Sequence, residues 1–173
     1  MCFICETDQD FGGHGGQITS DCPHCSPSVM LDLLQGQHVL EHIGAHILYD
    51  PEVIQSMGMP LCGLCLQPLP LCQFFLAKGK GMHSKPRINQ KTSRGCLMKV
   101  NYSYSIVVES TPSSPWLNVP INCPICPKSS PAIWKYLMKS HSKEKHRTLL
   151  TKHEHLWKIS NFEQAKMKKI WAK

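Results

Sequence analysis

The sequence predicts several small α+β modules that bound metal stabilises, and three observations favour this class over one large domain. Cys-x-x-Cys pairs recur along the 173 residues, beginning at Cys2, Cys22, Cys62 and Cys123. Thirteen prolines and eleven glycines divide the chain into short segments. The hydrophobic fraction of 42% includes ten cysteines, and long apolar runs are absent. Modules this small bury too little apolar surface to fold alone, so we expect metal binding to supply the missing stability.

Residues 119–147 have the clearest ligand spacing. Cys123 and Cys126 form a two-residue knuckle, and His141 and His146 follow it at the spacing of a second ligand pair. Thiolates from a knuckle and imidazoles from a helix are typical of a tetrahedral Zn²⁺ site. We therefore predict a basic C2H2-type finger with structural zinc here.

The residues between these two pairs predict a helix, Ala132–His146. Ser129 or Ser130 is a suitable N-cap, and Pro131 fits the first helical turn. Apolar residues then recur at helical spacing: Ile133, Trp134, Leu137 and Met138.

Residues 22–60 predict a second, acidic C2H2-type finger followed by a linker. Cys22 and Cys25 form its knuckle, and three histidines follow at i, i+4 and i+8: His38, His42 and His46. All three would lie on one face of a helix. The Asp50–Pro51 pair begins the linker.

Two ligand sets fit this finger, because the cysteines can pair with His38 and His42 or with His42 and His46. Gly36 weakens the helix just before His38, which therefore falls in the first turn. Since a finger needs helix ahead of its first histidine, we favour His42 and His46. We expect His38 and His24 to be exposed to solvent.

Residues 61–118 predict a strand-rich, zinc-ribbon-like unit between the two fingers. Its expected ligands are three cysteines: Cys62, Cys65 and Cys96. The fourth ligand stays open, because Cys72 and His83 both compete for it. Cys72 fits equally well as a buried thiol inside a strand.

Two strands complete the expected ribbon. Residues 71–76 predict the first strand, and residues 100–108 alternate apolar and polar side chains as a half-exposed strand does. A knuckle that leads into a short antiparallel sheet is the arrangement of a zinc ribbon.

The N-terminal segment, residues 1–21, contains half a zinc site in a glycine-rich loop. Cys2 and Cys5 form a further knuckle. Either His14 or the Cys22/Cys25 pair would complete the site.

The C-terminal segment, residues 148–173, predicts a basic helical tail. Ser160 and Glu163 form a capping box, and the helix is expected to end near Trp171. We expect the tail to pack on the helix of the preceding finger through Trp157 and Trp134.

Charge is distributed unevenly along the chain, whose net charge is +7. Residues 1–60 carry eight acidic residues and no Lys or Arg, whereas residues 128–173 carry twelve Lys and Arg against three Glu. A polyanion would therefore meet the C-terminal part of the chain. We predict DNA or RNA binding, directed mainly to phosphates, through the basic finger helix. The expected contacts are Lys135, Lys139, Lys143, Lys145 and Arg147.

The acidic finger suggests a different role. It carries a full ligand set but would repel polyanions, so it suits a basic protein partner or the chain's own basic end. The alternative hypothesis is therefore a protein–protein interaction module with structural zinc and no nucleic-acid binding.

Enzymatic and membrane functions are not expected. The sequence has no His-Glu-x-x-His run, phosphate loop or nucleophile motif, and a catalytic zinc needs an open coordination position. No stretch has the length of a transmembrane helix. Residues 1–10 lack the basic and apolar regions of a secretory signal. Ten cysteines outside the secretory route indicate a reducing compartment, so we expect an intracellular, nuclear protein.

Several segments resemble a family of fungal proteins with C2H2-type zinc fingers. They are residues 39–48 (VLEHIGAHIL), 62–81 (CGLCLQPLPLCQFFLAKGKG), 109–115 (ESTPSSP), 118–136 (NVPINCPICPKSSPAIWKY) and the tail LWKISNFEQAKMKKIW. The resemblance implies these metal ligands: His42, His46, Cys62, Cys65 and Cys96. In the family pattern a cysteine follows the SSP turn, where this chain has Trp116. If that cysteine is the fourth ligand of the ribbon in relatives, this chain has lost it, and the middle site is then weak, completed by Cys72, or empty.

Overall fold

The computed structural model describes residues 19–56, 61–69, 71–78, 86–89, 91–96, 118–147 and 151–172. These residues form a small α+β protein with two-stranded antiparallel sheets. Several sequence predictions lie outside the described residues: Cys2, Cys5, His14, His83, Trp116 and the strand over residues 100–108. No helix in the described ranges combines the length and the apolar character that crossing a membrane requires.

The first unit places a two-stranded hairpin before a long helix. Strand β1 (Thr19–Asp21) pairs antiparallel with strand β2 (Met30–Asp32). Helix α1 (Gly36–Tyr49) follows. Apolar residues at helical spacing bury one side of α1: Val39, Leu40, Ile43 and Ile47.

The residues predicted as a linker begin with a second helix, α2 (Pro51–Gln55). Asp50 caps this helix, because its carboxylate accepts a hydrogen bond from the N–H of Glu52 at 2.9 Å. Pro51 occupies the first helical position, where its fixed φ is favourable. The chain therefore continues in regular structure directly after α1.

A knuckle and a hairpin form the middle unit. Leu61 and Pro68 form an isolated β-bridge that closes the knuckle segment. Strand β3 (Leu76–Ala77) pairs antiparallel with strand β4 (Arg87–Ile88). These short contacts bring the cysteine side chains of the unit together rather than build an extended sheet.

The predicted strand over residues 71–76 is shorter in the structure. Gln73 and Arg94 exchange two backbone hydrogen bonds of 2.9 Å. Two residues later, the backbone N–H of Phe75 donates to the Ser93 hydroxyl at 2.9 Å and not to a backbone carbonyl. The ladder is therefore interrupted between this bridge and β3.

The last unit again places a hairpin before a helix. Strand β5 (Pro120–Ile121) pairs antiparallel with strand β6 (Ile133–Trp134). A 3-10 turn (Lys135–Leu137) follows and continues as helix α3 (Met138–Lys145). The predicted helix start at Ala132 is wrong, because the β-branched and aromatic residues of β6 are extended and pair with β5.

Helix α4 (Asn161–Trp171) belongs to the tail and packs along α1 of the first unit. Ser160 is its N-cap and accepts a hydrogen bond from the N–H of Glu163 at 3.1 Å, so the helix starts and ends where the sequence predicts. A 3-10 segment (Thr151–Leu156) precedes it. The tail therefore covers the first unit as well as contacting the last one.

One hydrophobic core connects the three units. Trp134 is 1% exposed, and its ring lies edge-on to that of Phe74 with 5.2 Å between centroids. A Cβ atom on Gly63 would lie 2.3 Å from the Trp134 ring, so only glycine lets the middle knuckle approach it. The Tyr136 hydroxyl donates a hydrogen bond to the buried carboxylate of Glu163 in α4. The units are thus joined by side-chain packing as well as by the chain.

Candidate metal centres

Three clusters of cysteine and histidine side chains each bring four potential ligand atoms within 4.8 Å of one another. The first cluster contains Cys22, Cys25, His42 and His46. The middle cluster contains Cys62, Cys65, Cys72 and Cys96. The last cluster contains Cys123, Cys126, His141 and His146. Each cluster can therefore hold one metal ion.

The first cluster joins the turn between β1 and β2 to helix α1. Cys22 and Cys25 lie in this turn, where the N–H of Cys25 donates to the carbonyl of Cys22. The Nε2 atom of His46 lies 3.5 Å from the Cys22 sulfur and 3.3 Å from the Cys25 sulfur. The Nε2 atom of His42 lies 3.3 Å from the Cys25 sulfur. The four-residue spacing places both imidazoles on one face of α1.

The middle cluster consists of four sulfurs from the knuckle and the hairpin. The sulfurs of Cys62 and Cys96 are 3.8 Å apart, and those of Cys65 and Cys72 are 3.5 Å apart. Cys72 and Cys96 flank the Gln73–Arg94 bridge, so pairing of the two strands brings their side chains together. All four cysteines are buried.

Gly95 makes this approach sterically feasible. Its φ is +89°, a conformation that residues with a side chain rarely adopt. A Cβ atom on Gly95 would lie 1.5 Å from the Leu71 carbonyl oxygen. The residue before Cys96 must therefore be glycine if the fourth sulfur is to reach the cluster.

The last cluster joins the segment between β5 and β6 to the end of α3. The Cys126 sulfur lies 3.4 Å from Nε2 of His141 and 3.1 Å from Nε2 of His146. His141 lies within α3, whereas His146 is its C-cap residue. Cys123 is the buried fourth member.

The distances between sulfurs exclude disulfides and suit a tetrahedral metal site. The described cysteines are free, and sulfur separations of 3.5 and 3.8 Å are far too long for a covalent bond. Metal–sulfur bonds of about 2.3 Å in a tetrahedral site would separate two sulfurs by about 3.8 Å. The donor sets therefore fit a divalent metal that prefers sulfur and nitrogen ligands.

Contacts within the first cluster shift the pKa values of its members in different directions. Burial works to raise the pKa of Cys22, but hydrogen bonds with His42 and His46 outweigh it and lower this pKa to about 5. Burial and the neighbouring Cys22 charge raise the pKa of Cys25 to about 11. Burial works to lower the pKa of His46, yet hydrogen bonds with Cys22 and Asp50 leave it raised. One thiolate is therefore present at neutral pH even without metal.

Four neighbouring thiols of the middle cluster cannot all ionise without a cation. Hydrogen bonds with Cys62 and Cys96 hold the pKa of Cys65 far below its ordinary value. The pKa of Cys62 is raised, because Cys62 forms hydrogen bonds with Cys65 and Cys96. Burial raises the pKa of Cys72 to about 11. A hydrogen bond with Cys62 works to lower the pKa of Cys96, but contact with Cys65 and burial raise it to about 12. A bound metal would have to displace the protons of three thiols.

The structure shows which described residues lie in the clusters where the sequence offers two ligand sets. His38 lies in the first turn of α1 and is exposed, as is His24, whereas His42 and His46 lie in the first cluster. Cys72 lies in the middle cluster, so this cluster has four sulfurs even though Trp116 stands where the fungal pattern has a cysteine.

Two residues beside the first cluster were not predicted. The Asp50 carboxylate lies 2.7 Å from Nδ1 of His46, and the Trp171 ring lies edge-on to the His46 ring with 5.1 Å between centroids. An acidic residue one helical turn after a ligating histidine is a signal that could have found Asp50. No local signal predicts Trp171, because the packing of α4 on α1 places it there.

The five predicted phosphate-contacting residues are not equivalent. Three of them are exposed at four-residue spacing: Lys139, Lys143 and Arg147. Lys145 is also exposed, but its ammonium group lies 2.8 Å from the Glu144 carboxylate. Lys135 is half-buried, and burial lowers its pKa. Three of the five residues are therefore exposed and have no ion pair with another residue in the described ranges.

No family model, curated protein or solved structure matches the chain. The likeness to fungal proteins with C2H2-type fingers therefore stays a prediction. Function has to be inferred from the geometry of the clusters and from the charges around them.

Proposed function

We propose that the chain is a zinc-structured protein of the C2H2 type that binds nucleic acid through its phosphate backbone. One observation carries this proposal. In the last unit, the residues that read bases in a zinc finger are largely buried, whereas basic side chains on the helix and just after its C-cap are exposed. The middle cluster serves as a ribbon-like structural support for this unit.

Four protein ligands per cluster support a structural role for zinc. A catalytic zinc keeps one coordination position for water or substrate, whereas each described cluster offers four protein ligand atoms. Cys₄ and Cys₂His₂ sets are typical of structural Zn²⁺, and Mg²⁺ and Ca²⁺ prefer oxygen ligands. We therefore propose that the metal stabilises the fold and takes no part in a reaction.

The core occupies the base-reading face of the last unit. Finger helices read bases with positions −1, 3 and 6 counted from the helix start. If Lys135 is the first helical residue, these positions are Trp134, Leu137 and Ser140. Trp134 and Leu137 are 1% and 4% exposed, and Ser140 is half-buried. Buried apolar side chains do not form hydrogen bonds with base edges, so this helix is not expected to select a sequence.

The exposed side of the same helix suits phosphate instead. Lys139 and Lys143 lie one turn apart on one face of this helix, and Arg147 follows directly after its C-cap residue, His146. The Nε of Arg147 donates to the Lys143 carbonyl at 3.2 Å, so the guanidinium group stays close to Lys143. Lysine and arginine contacts to phosphates position a protein on a duplex without reading its sequence.

Removal of the three exposed cations tests this proposal. We expect the variant K139Q/K143Q/R147Q to bind duplex DNA or RNA more weakly than the wild type. The slope of log affinity against log salt should also become shallower, by about 0.9 for each DNA phosphate that the variant no longer neutralises. Fluorescence anisotropy with several unrelated duplexes at low and moderate salt measures both quantities. Unrelated sequences should bind the wild type with similar affinity.

A matched control removes the same charge from the tail. Lys158, Lys168 and Lys169 are exposed, and replacing them with glutamine leaves α3 intact. This control should keep a salt slope close to that of the wild type. Equal losses in both variants, or a strong preference of the wild type for one duplex, would contradict the proposed surface. No retention at low salt would rule out nucleic-acid binding.

Protein docking at the first unit is the alternative function. Met30 and Leu34 are 67% and 62% exposed beside the acidic Asp32. However, the chain's own basic helix already meets the acidic α1, because the Lys166 ammonium lies 3.7 Å from the Glu41 carboxylate. A variant with both apolar residues changed to serine should keep wild-type nucleic-acid affinity if the two functions use separate surfaces.

A further inference from the structure

Asp50 lies directly behind a ligand of the first cluster. Its Oδ2 atom is 2.7 Å from Nδ1 of His46, one helical turn earlier in the chain. Both side chains are buried, at 2% exposure for His46 and 8% for Asp50. The other carboxylate oxygen, Oδ1, accepts a hydrogen bond from the N–H of Glu52 at 2.9 Å. Asp50 is therefore held at both of its oxygens.

This contact decides which nitrogen of His46 is available to a metal ion. The Nε2 atom faces the sulfurs of Cys22 and Cys25 at 3.5 and 3.3 Å. A metal at Nε2 requires a neutral imidazole, so the remaining proton must be on Nδ1. The Asp50 carboxylate is placed to accept a hydrogen bond from that proton and to hold the ring in its orientation.

We propose that Asp50 is a positioning residue of the first metal site. It selects the His46 tautomer, orients the ring and strengthens Nε2 as a donor to the metal. Among the described residues, His46 is the one cluster histidine with a carboxylate at Nδ1, in contrast to His42, His141 and His146. The direct effect of Asp50 should therefore fall on one cluster of the three. The inference rests on the proposed binding of metal at this cluster.

Two substitutions separate the contact with His46 from the helix cap. Asp50→Ser keeps an N-cap hydroxyl for the N–H of Glu52, but this side chain is too short to reach His46. Asp50→Asn removes the charge and keeps one acceptor oxygen, so it can accept from either His46 or Glu52 but not from both, as the carboxylate does. We expect metal affinity at the first cluster to fall about 10- to 100-fold in D50S and by a smaller factor in D50N. Glu52→Gln is the matched control, because it removes an exposed carboxylate two residues away.

Zinc competition with a chelator under reducing conditions, followed by native mass spectrometry, gives the number and affinity of the bound ions. The ion that is bound by the wild type and missing from Cys25→Ser is the ion of the first cluster. Long-range ¹⁵N NMR correlations of the His46 ring report which nitrogen carries the proton. If Asp50 only stabilised the fold, its substitution would leave the state of this ring proton unchanged. The zinc-loaded wild type should carry the proton on Nδ1, and exchange of this proton with water should be faster in D50S.

The outcomes separate the metal site from the role of Asp50. If Cys25→Ser loses no ion, both the metal site and the role of Asp50 are overturned. If it loses one ion but D50S and D50N keep wild-type zinc affinity and the same ring proton exchange, the inference about Asp50 alone is overturned. If D50S does not fold, D50N decides the question through the same two measurements.

Discussion

At the scale of the residue, a metal ion can bind a cysteine thiol only if the thiol loses its proton. The thiolate is the form that binds metal, so a thiol with a raised pKa must lose its proton when the ion enters. Cys22 has a pKa lowered to about 5 and is ionised at neutral pH, whereas Cys25 has a pKa of about 11. In the middle cluster, raised pKa values hold three of the four thiols in the protonated form: Cys62, Cys72 and Cys96.

Metal affinity should therefore depend on pH more steeply at the middle cluster than at the first. Binding displaces protons, so affinity rises with pH and declines as the pH falls. Near neutral pH we expect about three protons released per ion at the middle cluster and fewer at the first. Co²⁺ absorption followed against pH measures each slope, with Cys25→Ser/Cys126→Ser leaving the middle cluster and Cys72→Ser/Cys126→Ser leaving the first. Equal slopes in these two variants would contradict the assignment of protonated thiols.

Members of the clusters could be predicted where the signal is local in the sequence, and not where contacts between distant segments bring the residues together. The knuckles and the His42/His46 pair follow from spacing and from the weak helix start at Gly36. The choice between Cys72 and His83 depends instead on which strand pairs with the residues before Cys96, and the sequence does not encode that pairing locally.

The same distinction holds at the scale of the element. The start of α4 could be predicted because its capping box is a four-residue signal between Ser160 and Glu163. The start of α3 could not, because residues 133 and 134 satisfy a helical pattern but pair with β5. The N–H of Lys135 donates to the Val119 carbonyl, which continues this pairing into the 3-10 turn. Tertiary contacts therefore overrode local helix propensity there.

Packing of α4 on α1 should contribute measurably to stability. Met167 is fully buried in α4, and a Cβ atom on Gly44 of α1 would lie 3.6 Å from its sulfur. We expect Met167→Ala to lower the free energy of unfolding by about 2–5 kcal/mol, because it leaves a cavity between the helices. Denaturant unfolding of the metal-loaded protein measures this change.

The neighbouring exposed position provides the control for this substitution. Lys168 lies on the solvent side of α4. Lys168→Ala should therefore change the free energy of unfolding by no more than about 0.5 kcal/mol. A similarly small change in Met167→Ala would show that the tail helix is not an integral part of the fold.

The whole molecule differs from a row of independent fingers because the three units share one core. The sequence predicts separate modules. The shared core could not be predicted, because the spacing of cysteines and histidines and the distribution of charge carry no information about contacts between distant segments. Trp134 connects the last unit to the middle one through Gly63 and Phe74. Tyr136 connects it to the tail through Glu163. Loss of metal from one cluster should therefore destabilise the other two.

Stepwise removal of metal from the reduced protein tests the central claim most directly. Native mass spectrometry counts the ions that remain, and far-ultraviolet circular dichroism and amide hydrogen exchange follow the structure in the same samples. We predict three Zn²⁺ ions at the described clusters, two in Cys72→Ser, and cooperative loss of helical signal as the ions are removed. A metal-free chain with unchanged circular dichroism and amide exchange would contradict the claim that metal holds this fold together.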